Sequence, residues 1–532
     1  MKRWSGTLSV RLLVWLLAAV LLTVSGAWAK PTTPEQARTV VLHWLGLDAV
    51  PLGAALGRQI KEVQTFQHEG AAAYYVVYLQ PSGLVFVPAD DLVEPIIGFL
   101  PAGQYDPSLA NPLGALVSRD IPGRIVAARA AETQGLEALA PATPQAQARR
   151  KWAWLSKPAD AAEALELGLP SISDVRVASL VLSRWSQTTV GGLACYNYYT
   201  PPYAAGDPRN YPCGCVATAM AQLMRYWQYP TAGIGVHSFR IWVDGVRQFR
   251  NTRGGDGAGG PYDWANMVLD PENSGVNDTQ RRAIGALTAD AGVSVNMSYT
   301  AESSGVPDMS GVGAAFTGTF KYSNARYGIS PDNLPEAARN AMVNPNLHAR
   351  YPVLLQIRGA PGGHAVVCDG YGYNLATMYH HLNLGWAGAD DAWYNLPTID
   401  TSQGTFTTVD LCVYNVYKPG TGSGSGEIIA GRVTDNRATP KPISGATVTA
   451  SGSGGPYTAT SDANGIYALA QVPSNTPFTV SASKRGYSFT SRSVTTGAST
   501  DATTTTGNQW PLDFAGSARR RGLAPVIPLL LN

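Results

Sequence analysis

Two cysteines, Cys213 and Cys215, stand one residue apart in "NYPCGCVATAMAQLMRYW" (residues 210–227), directly ahead of a run with helical periodicity. Val216, Met220, Leu223 and Trp227 recur at i, i+4, i+7 and i+11, one face of a helix that Pro230 stops. Cys215 falls in the first turn and Cys213 just outside it. A helix start presents unpaired N–H groups and about half a positive charge, so it favours a thiolate and draws a cysteine below its free pKa of about 8.5. Cys215 is the better-placed nucleophile. Without a partner it would read as a small buried residue at a helix start.

The partner is in "IRGAPGGHAVVCDGYGY", where Gly362-Gly363 deliver His364 to the first position of an apolar strand. An imidazole within hydrogen-bond reach forms a thiolate–imidazolium pair and later protonates the leaving amine. In "MYHHLNLGWAGADDAWYNL" the Asn383 amide can accept from one imidazole nitrogen and fix its tautomer. Gln187 in "LSRWSQTTVGG" offers an amide donor for the oxyanion formed on an attacked carbonyl. This is acyl-transfer chemistry, for which no cofactor and no metal is expected. A zinc site from Cys213, Cys215, His380 and His381 is disfavoured: the C-x-C spacing differs from the C-x₂-C of shared thiolate ligands. Adjacent histidines on a strand also point to opposite faces.

The elements that must position these groups belong to a long chain. Its 532 residues exceed what one core usually organises, so two to four domains are expected. With 39 basic and 37 acidic residues, nothing in the charge favours nucleic acid as a partner. Fifty-six glycines and 37 prolines imply many turns and substantial β structure. The N-terminus, with Lys2, Arg3 and Arg11, an apolar run from Leu12 to Val24 and Ala27-Trp28-Ala29, reads as a Sec-type signal peptide over residues 1–29. The mature chain is then secreted, periplasmic or at the cell surface, with no later membrane span.

Residues 30–125 read as a small α+β domain. Thr33 caps a helix that begins with Pro34 and Glu35, and a hairpin turns at Gln80-Pro81-Ser82-Gly83. Residues 126–173, Ala-rich and polar with Arg149-Arg150-Lys151, read as either a helical linker or a processing region. Residues 174–418 hold all five cysteines and form the main domain. A Gly/Ser linker, 419–426, leads to short strands and turns that read as an all-β sandwich, 427–507, followed by a tail of unassigned role, 508–532.

"GCVATAMAQLMRYW", "GGHAVVCDGY", "LNLGWAG" and "RWSQ" resemble the streptopain family of secreted cysteine peptidases, in the papain-like clan. "YDWANM" (262–267), "DAGVSVNMSYTAESSG" (290–305) and "GLVFVPADDLVEPIIGFLPAGQYD" (83–106) resemble it too, so the likeness runs over about residues 33–418. It implies an α+β papain-like fold preceded by an inhibitory prodomain. It also implies Cys215 as nucleophile, His364 as its base, Gln187 with the Cys215 N–H as oxyanion hole, and Asn383 and Trp386 as the wall that orients His364. Leu384 stands where that family usually carries a first tryptophan. "AGRVTD", "ISGATVTA", "SDANGIYAL" and "FTVSASKRGYSF" resemble a carboxypeptidase regulatory-like domain, implying a structural or adhesive accessory.

The expected protein is thus an exported zymogen of a cysteine endopeptidase that acts on protein or peptide substrates, with its own prodomain as an intramolecular inhibitor. The alternative is a catalytically silent binding protein on the same scaffold. For the remaining thiols, a Cys195–Cys213 disulfide is expected, closing a loop of about eighteen residues worth about 3 kcal/mol.

Overall fold

The computed structural model describes residues 30–133, 143–157, 172–358, 363–397, 408–420 and 425–519. The signal segment, Gly362 and residues 520–532 of the tail lie outside the described residues. No described helix is long and apolar enough to cross a membrane.

The N-terminal unit opens with α1 (Pro34–Leu47), started by a reciprocal capping box between Thr33 and Gln36. Four antiparallel strands follow: β1 (Gln59–His68), β2 (Ala71–Gln80), β3 (Leu84–Pro88) and β4 (Gly98–Leu100). Then comes α2 (Pro112–Thr133), which carries Pro122 in its interior, and α3 (Pro144–Leu155). The stretch read as linker or processing region is therefore helical where it is described. Trp152 and Trp154 bury their rings, Lys151 pairs with Glu94 at 2.9 Å, and Arg149 pairs with Glu132. Backbone held in this way is a poor protease target.

The central region begins with β5 (Ser173–Val177) and α4 (Cys215–Trp227). It continues through the hairpin β6 (Ser238–Val243) and β7 (Val246–Asn251), α5 (Asp278–Ser294), β8 (Ser298–Tyr299) and β9 (Ser304–Gly305). The chain then forms β10 (Asn324–Ile329), α6 (Glu336–His348), β11 (Val353–Arg358), β12 (Gly363–Asn374), β13 (Thr377–Asn383), β14 (Ala392–Tyr394) and β15 (Val409–Tyr417). One sheet of eleven strands runs β1-β2-β3-β4-β14-β13-β12-β11-β15-β10, with β5 added beside β12. The N-terminal unit is thus continuous with the central sheet: Phe99 pairs with Trp393 and Gly98 with Tyr394. A second sheet, β9-β8-β6-β7, covers the helical side. The apolar core around α4 and α5 gathers Met220, Leu223, Ile284, Leu287 and Phe316.

The C-terminal region is a β-sandwich of two four-stranded sheets. One sheet contains β16 (Glu427–Asp435), β17 (Ile466–Val472), β18 (Tyr487–Ser488) and β19 (Phe514–Ala518); the other contains residues 447–452, 457–460, 477–483 and 492–495. β19 lies in the segment read as a tail. It pairs in parallel with residues 433–435 and so completes the sandwich. The sandwich is docked against the central domain. Arg432 makes two hydrogen bonds to Asp174, at 2.7 and 3.0 Å. Thr503 forms a parallel bridge to Gly328 at the free side of β10. The Gly/Ser composition of 419–426 gave no hint of this, because the docking partners, Asp174 and Gly328, lie far from it in sequence.

Candidate active site

The site is built where α4 meets β12. Gly214, at φ 90° and ψ 150°, precedes the helix in a conformation that favours glycine. A Cβ there would lie 2.7 Å from the Ser304 carbonyl oxygen, so the close approach of β9 requires the missing side chain as well. The Cys213 N–H donates to the Gln187 carbonyl at 2.9 Å. The Thr218 hydroxyl donates to the Ser186 carbonyl at 3.0 Å. These bonds tie the half-buried Gln187 to the start of the helix that carries Cys215.

Cys215 is 8% exposed. Its Sγ lies 4.0 Å from the Gly363 carbonyl oxygen. Burial raises its pKa, opposed by the N–H groups of Ala365, Val216 and Cys215 itself. The helix start therefore favours the anion, but desolvation wins in this state. His364 lies on β12 opposite Ile357. Its Nε2 donates to the Leu109 carbonyl at 3.1 Å, which fixes the proton on Nε2. Burial lowers the His364 pKa, partly offset by that bond. No hydrogen bond joins the Cys215 sulfur to the imidazole.

Leu109 belongs to the N-terminal unit, in the segment that leads into α2. Asn111 fixes this segment twice. Its Oδ1 accepts from the Gly114 N–H at 2.9 Å and its Nδ2 donates to Asp390 at 2.9 Å. A Cβ on Gly114 would meet the Asp106 carbonyl oxygen at 2.2 Å, so the loop closes over that glycine.

Asn383 does not orient His364. Its Oδ1 accepts from Gln222 Nε2 at 2.8 Å and from the Gly385 N–H at 3.1 Å, and its Nδ2 donates to the Ser183 carbonyl at 2.8 Å. The amide is saturated by α4 and the chain beside it, and Asn383 pairs with Val367, three residues beyond His364. It anchors α4, the helix that carries Cys215, to the sheet. Trp386 is half-buried and its indole N–H has no hydrogen-bond partner, so it does not hold the imidazole through that group. Leu384 is buried in the apolar core, with its N–H donating to Asp391 Oδ1 at 2.9 Å.

The expected disulfide is absent: Cys195 and Cys213 are both free and buried. Burial raises each thiol to about 12. The Cys213 sulfur instead shares a hydrogen bond with the Thr218 hydroxyl at 3.3 Å, inside the first turn of α4. The donors of the rejected zinc reading are dispersed. His380 Nε2 contacts Asn344 Oδ1 at 2.9 Å, and His381 Nδ1 contacts Asp369 Oδ1 at 2.6 Å.

Sequence reasoning missed three contributors. A backbone carbonyl such as that of Leu109 leaves no trace in residue types. The Asp390-Asp391 pair was visible but not used. Burial raises Asp391 to about 6, opposed by His381. Burial alone would lower His381, but the Asp369 carboxylate raises it.

Residues 185–394 match the Peptidase C10 family, and residues 428–507 match the carboxypeptidase regulatory-like domain. Streptopain of Streptococcus pyogenes is 32% identical over 217 residues, covering 39% of this chain and 53% of its own length. The chain spans about half the length of the streptopains it matches. The thiol protease/hemagglutinin PrtT of Porphyromonas gingivalis is 29% identical over 185 residues, 34% of this chain and 20% of that protein. Among solved structures, a prointerpain A fragment of Prevotella intermedia is similar, at 22% identity and a TM-score of 0.45, over 67% of this chain and 98% of its own. Over residues 185–394 the chain is thus similar to the peptidase C10, or streptopain, family, and over residues 428–507 to the carboxypeptidase regulatory-like domain.

Proposed function

We propose that the protein is a cysteine endopeptidase held as a zymogen by its N-terminal unit. The observation that carries this reading is the seat of the Cys215 sulfur. It sits at a helix start against the backbone on both sides of His364, contacting the Gly363 carbonyl and the Ala365 N–H. In the described state the imidazole is engaged by Leu109 and half-buried, and the thiol is buried, so thiol and imidazole are each driven toward neutrality. Departure of the segment around Leu109 frees Nε2 and admits water. Both shifts then reverse, and a thiolate–imidazolium pair becomes favourable.

Catalysis follows from that pair. The Cys215 thiolate attacks a peptide carbonyl, and the oxyanion is held by the Gln187 amide and the Cys215 N–H. His364 gives its proton to the leaving amine, which departs as the C–N bond breaks and leaves a thioester. A water, deprotonated by His364, attacks the thioester and releases the acid and the thiol. No cofactor enters these steps. The substrates are proteins or peptides, and residues 1–29 direct export.

Casein hydrolysis by the processed protein tests the reading. Loss of activity in Cys215→Ala, with the fold retained by circular dichroism, is the expected result. Unchanged hydrolysis in that variant would overturn the mechanism. A wild-type protein with no hydrolytic activity after processing would favour the silent scaffold.

A further inference from the structure

The hairpin β6–β7 plays no part in the chemistry above, yet it is built to present a surface. Val243 and Val246 are joined by Asp244-Gly245, with φ of 50° and 75°, the tight turn whose twist matches a hairpin. Asp244 is engaged by the Tyr211 hydroxyl at 2.9 Å. β7 is the last strand of its sheet, hydrogen-bonded to β6 alone, so its outer backbone groups are open. Arg240 stands opposite Phe249, and Trp242 opposite Arg247. These four side chains therefore share one face. Phe249 is 66% exposed and Val246 62%. The Arg247 guanidinium lies 5.9 Å from the Phe249 ring centroid. Arg240, Arg247 and Arg250 are all exposed, and none is paired with a carboxylate among the described residues.

We propose that this hairpin is an exosite that takes an acidic, extended segment of a protein substrate by strand addition along β7. Charge selects the occupant. Two unpaired guanidiniums on the open strand, Arg247 and Arg250, with Arg240 beside them on β6, attract carboxylates, and the exposed Phe249 and Val246 offer apolar contact to alternate side chains of an added strand. A second copy of this chain fits poorly, because antiparallel pairing of two β7 strands can set Arg247 against Arg250, like charge against like. The opposite end of the same sheet, β9, abuts Gly214 beside the nucleophile. β7 thus lies three strand spacings from the cleft edge, roughly 14 Å. A substrate protein in the cleft can reach it with a neighbouring segment. The use of the surface rests on the peptidase reading; the binding itself does not.

The test uses the full chain carrying Cys215→Ala and a fluorescein-labelled (Glu-Val)₄ peptide, read by anisotropy at low salt. Expected is saturable binding that weakens with salt and falls on the order of tenfold or more in Arg247→Glu/Arg250→Glu. A (Lys-Val)₄ peptide should not bind. A (Glu-Val)₄ peptide N-methylated at every residue, which lacks all backbone donors, should bind more weakly. Equal binding by the double variant, or no binding of (Glu-Val)₄, overturns the proposal and leaves the arginines as guards of the edge. Equal binding of the N-methylated peptide overturns strand addition. In the processed enzyme, the same double variant should lower kcat/KM for casein while leaving that for a short peptide unchanged. Absence of short-peptide hydrolysis in the wild type would instead sink the peptidase reading and leave the binding result standing.

Discussion

The central sheet is flanked by two bodies joined to it by different physics. The N-terminal unit shares its strands and its core: β4 pairs with β14, and Trp44, Phe99, Tyr379 and Trp393 belong to one buried cluster. One charged latch lies inside this junction, where Arg124 holds Asp120 at 2.9 Å and Asn395 Oδ1 at 2.7 Å, and Tyr394 donates to Asp120 at 2.8 Å. The C-terminal sandwich meets the same sheet along a polar seam of Asn346, Asn415, Asn508 and Glu427, all buried. Only the N-terminal unit reaches His364. The N-terminal body is therefore held like part of a domain core, and cutting the chain between it and the sheet would not by itself part them. The sandwich is held by matched donors and acceptors, which fix its position more than they add stability.

The sharpest way to break the comparison is Arg124→Met. It leaves Asp120 and Asn395 buried without their partner and should cost about 3–5 kcal/mol. Urea unfolding reads the loss, and faster alkylation of Cys215 reports that the N-terminal unit has loosened. A second effect falls on the sandwich side. Burial lowers His348 and His380 to about 3. Both histidines flank Tyr371, and His348 closes α6, the helix that carries Asn346 of the seam. Between pH 6.5 and 3 the unfolded chain binds protons that the folded one refuses. Their contribution is present above about 6.5 and is lost as the pH falls. Each should remove about 2 kcal/mol between pH 7 and 5, and His348→Gln should flatten that slope in thermal unfolding.

Asn508→Ala strips partners from Asn415 and the Ile428 N–H and should cost about 1–3 kcal/mol. Cys215 alkylation should be unchanged, because this seam does not touch the site. The last effect is expected for Asn111→Ala, which removes both the bond to Asp390 and the acceptor of the Gly114 N–H and should cost about 1–2 kcal/mol. Alkylation of Cys215 by iodoacetamide should rise several-fold alongside it. An unchanged rate would separate the Asn111 contacts from the hold on His364.

What was legible in the sequence was local. The apolar stripe from Val216 to Trp227 placed Cys215 at a helix start, and the apolar run after His364 placed that residue on a strand. The Thr33 cap and the 71–88 hairpin were equally plain. What failed depended on contacts across the chain. Asn383 looked free to serve His364, but Gln222 and Ser183 claim both ends of its amide. Cys195 and Cys213 suited a disulfide by compartment and loop length, but neither consideration fixes where the sulfurs point, and Thr218 takes one of them. The Gly/Ser run promised a loose tether. Arg432, Asn508 and Asp501 decide otherwise, through partners in the central region far from it in sequence.

The loop that seals β10 has a further consequence for how the molecule is assembled. Asp501 accepts from the Tyr327 N–H at 2.9 Å and pairs with Arg326 across 175 residues of chain. Contacts so distant in sequence form late. A growing polypeptide therefore carries the helix of Cys215 well before its sheet is closed, with the segment around Leu109, made first, already waiting for it.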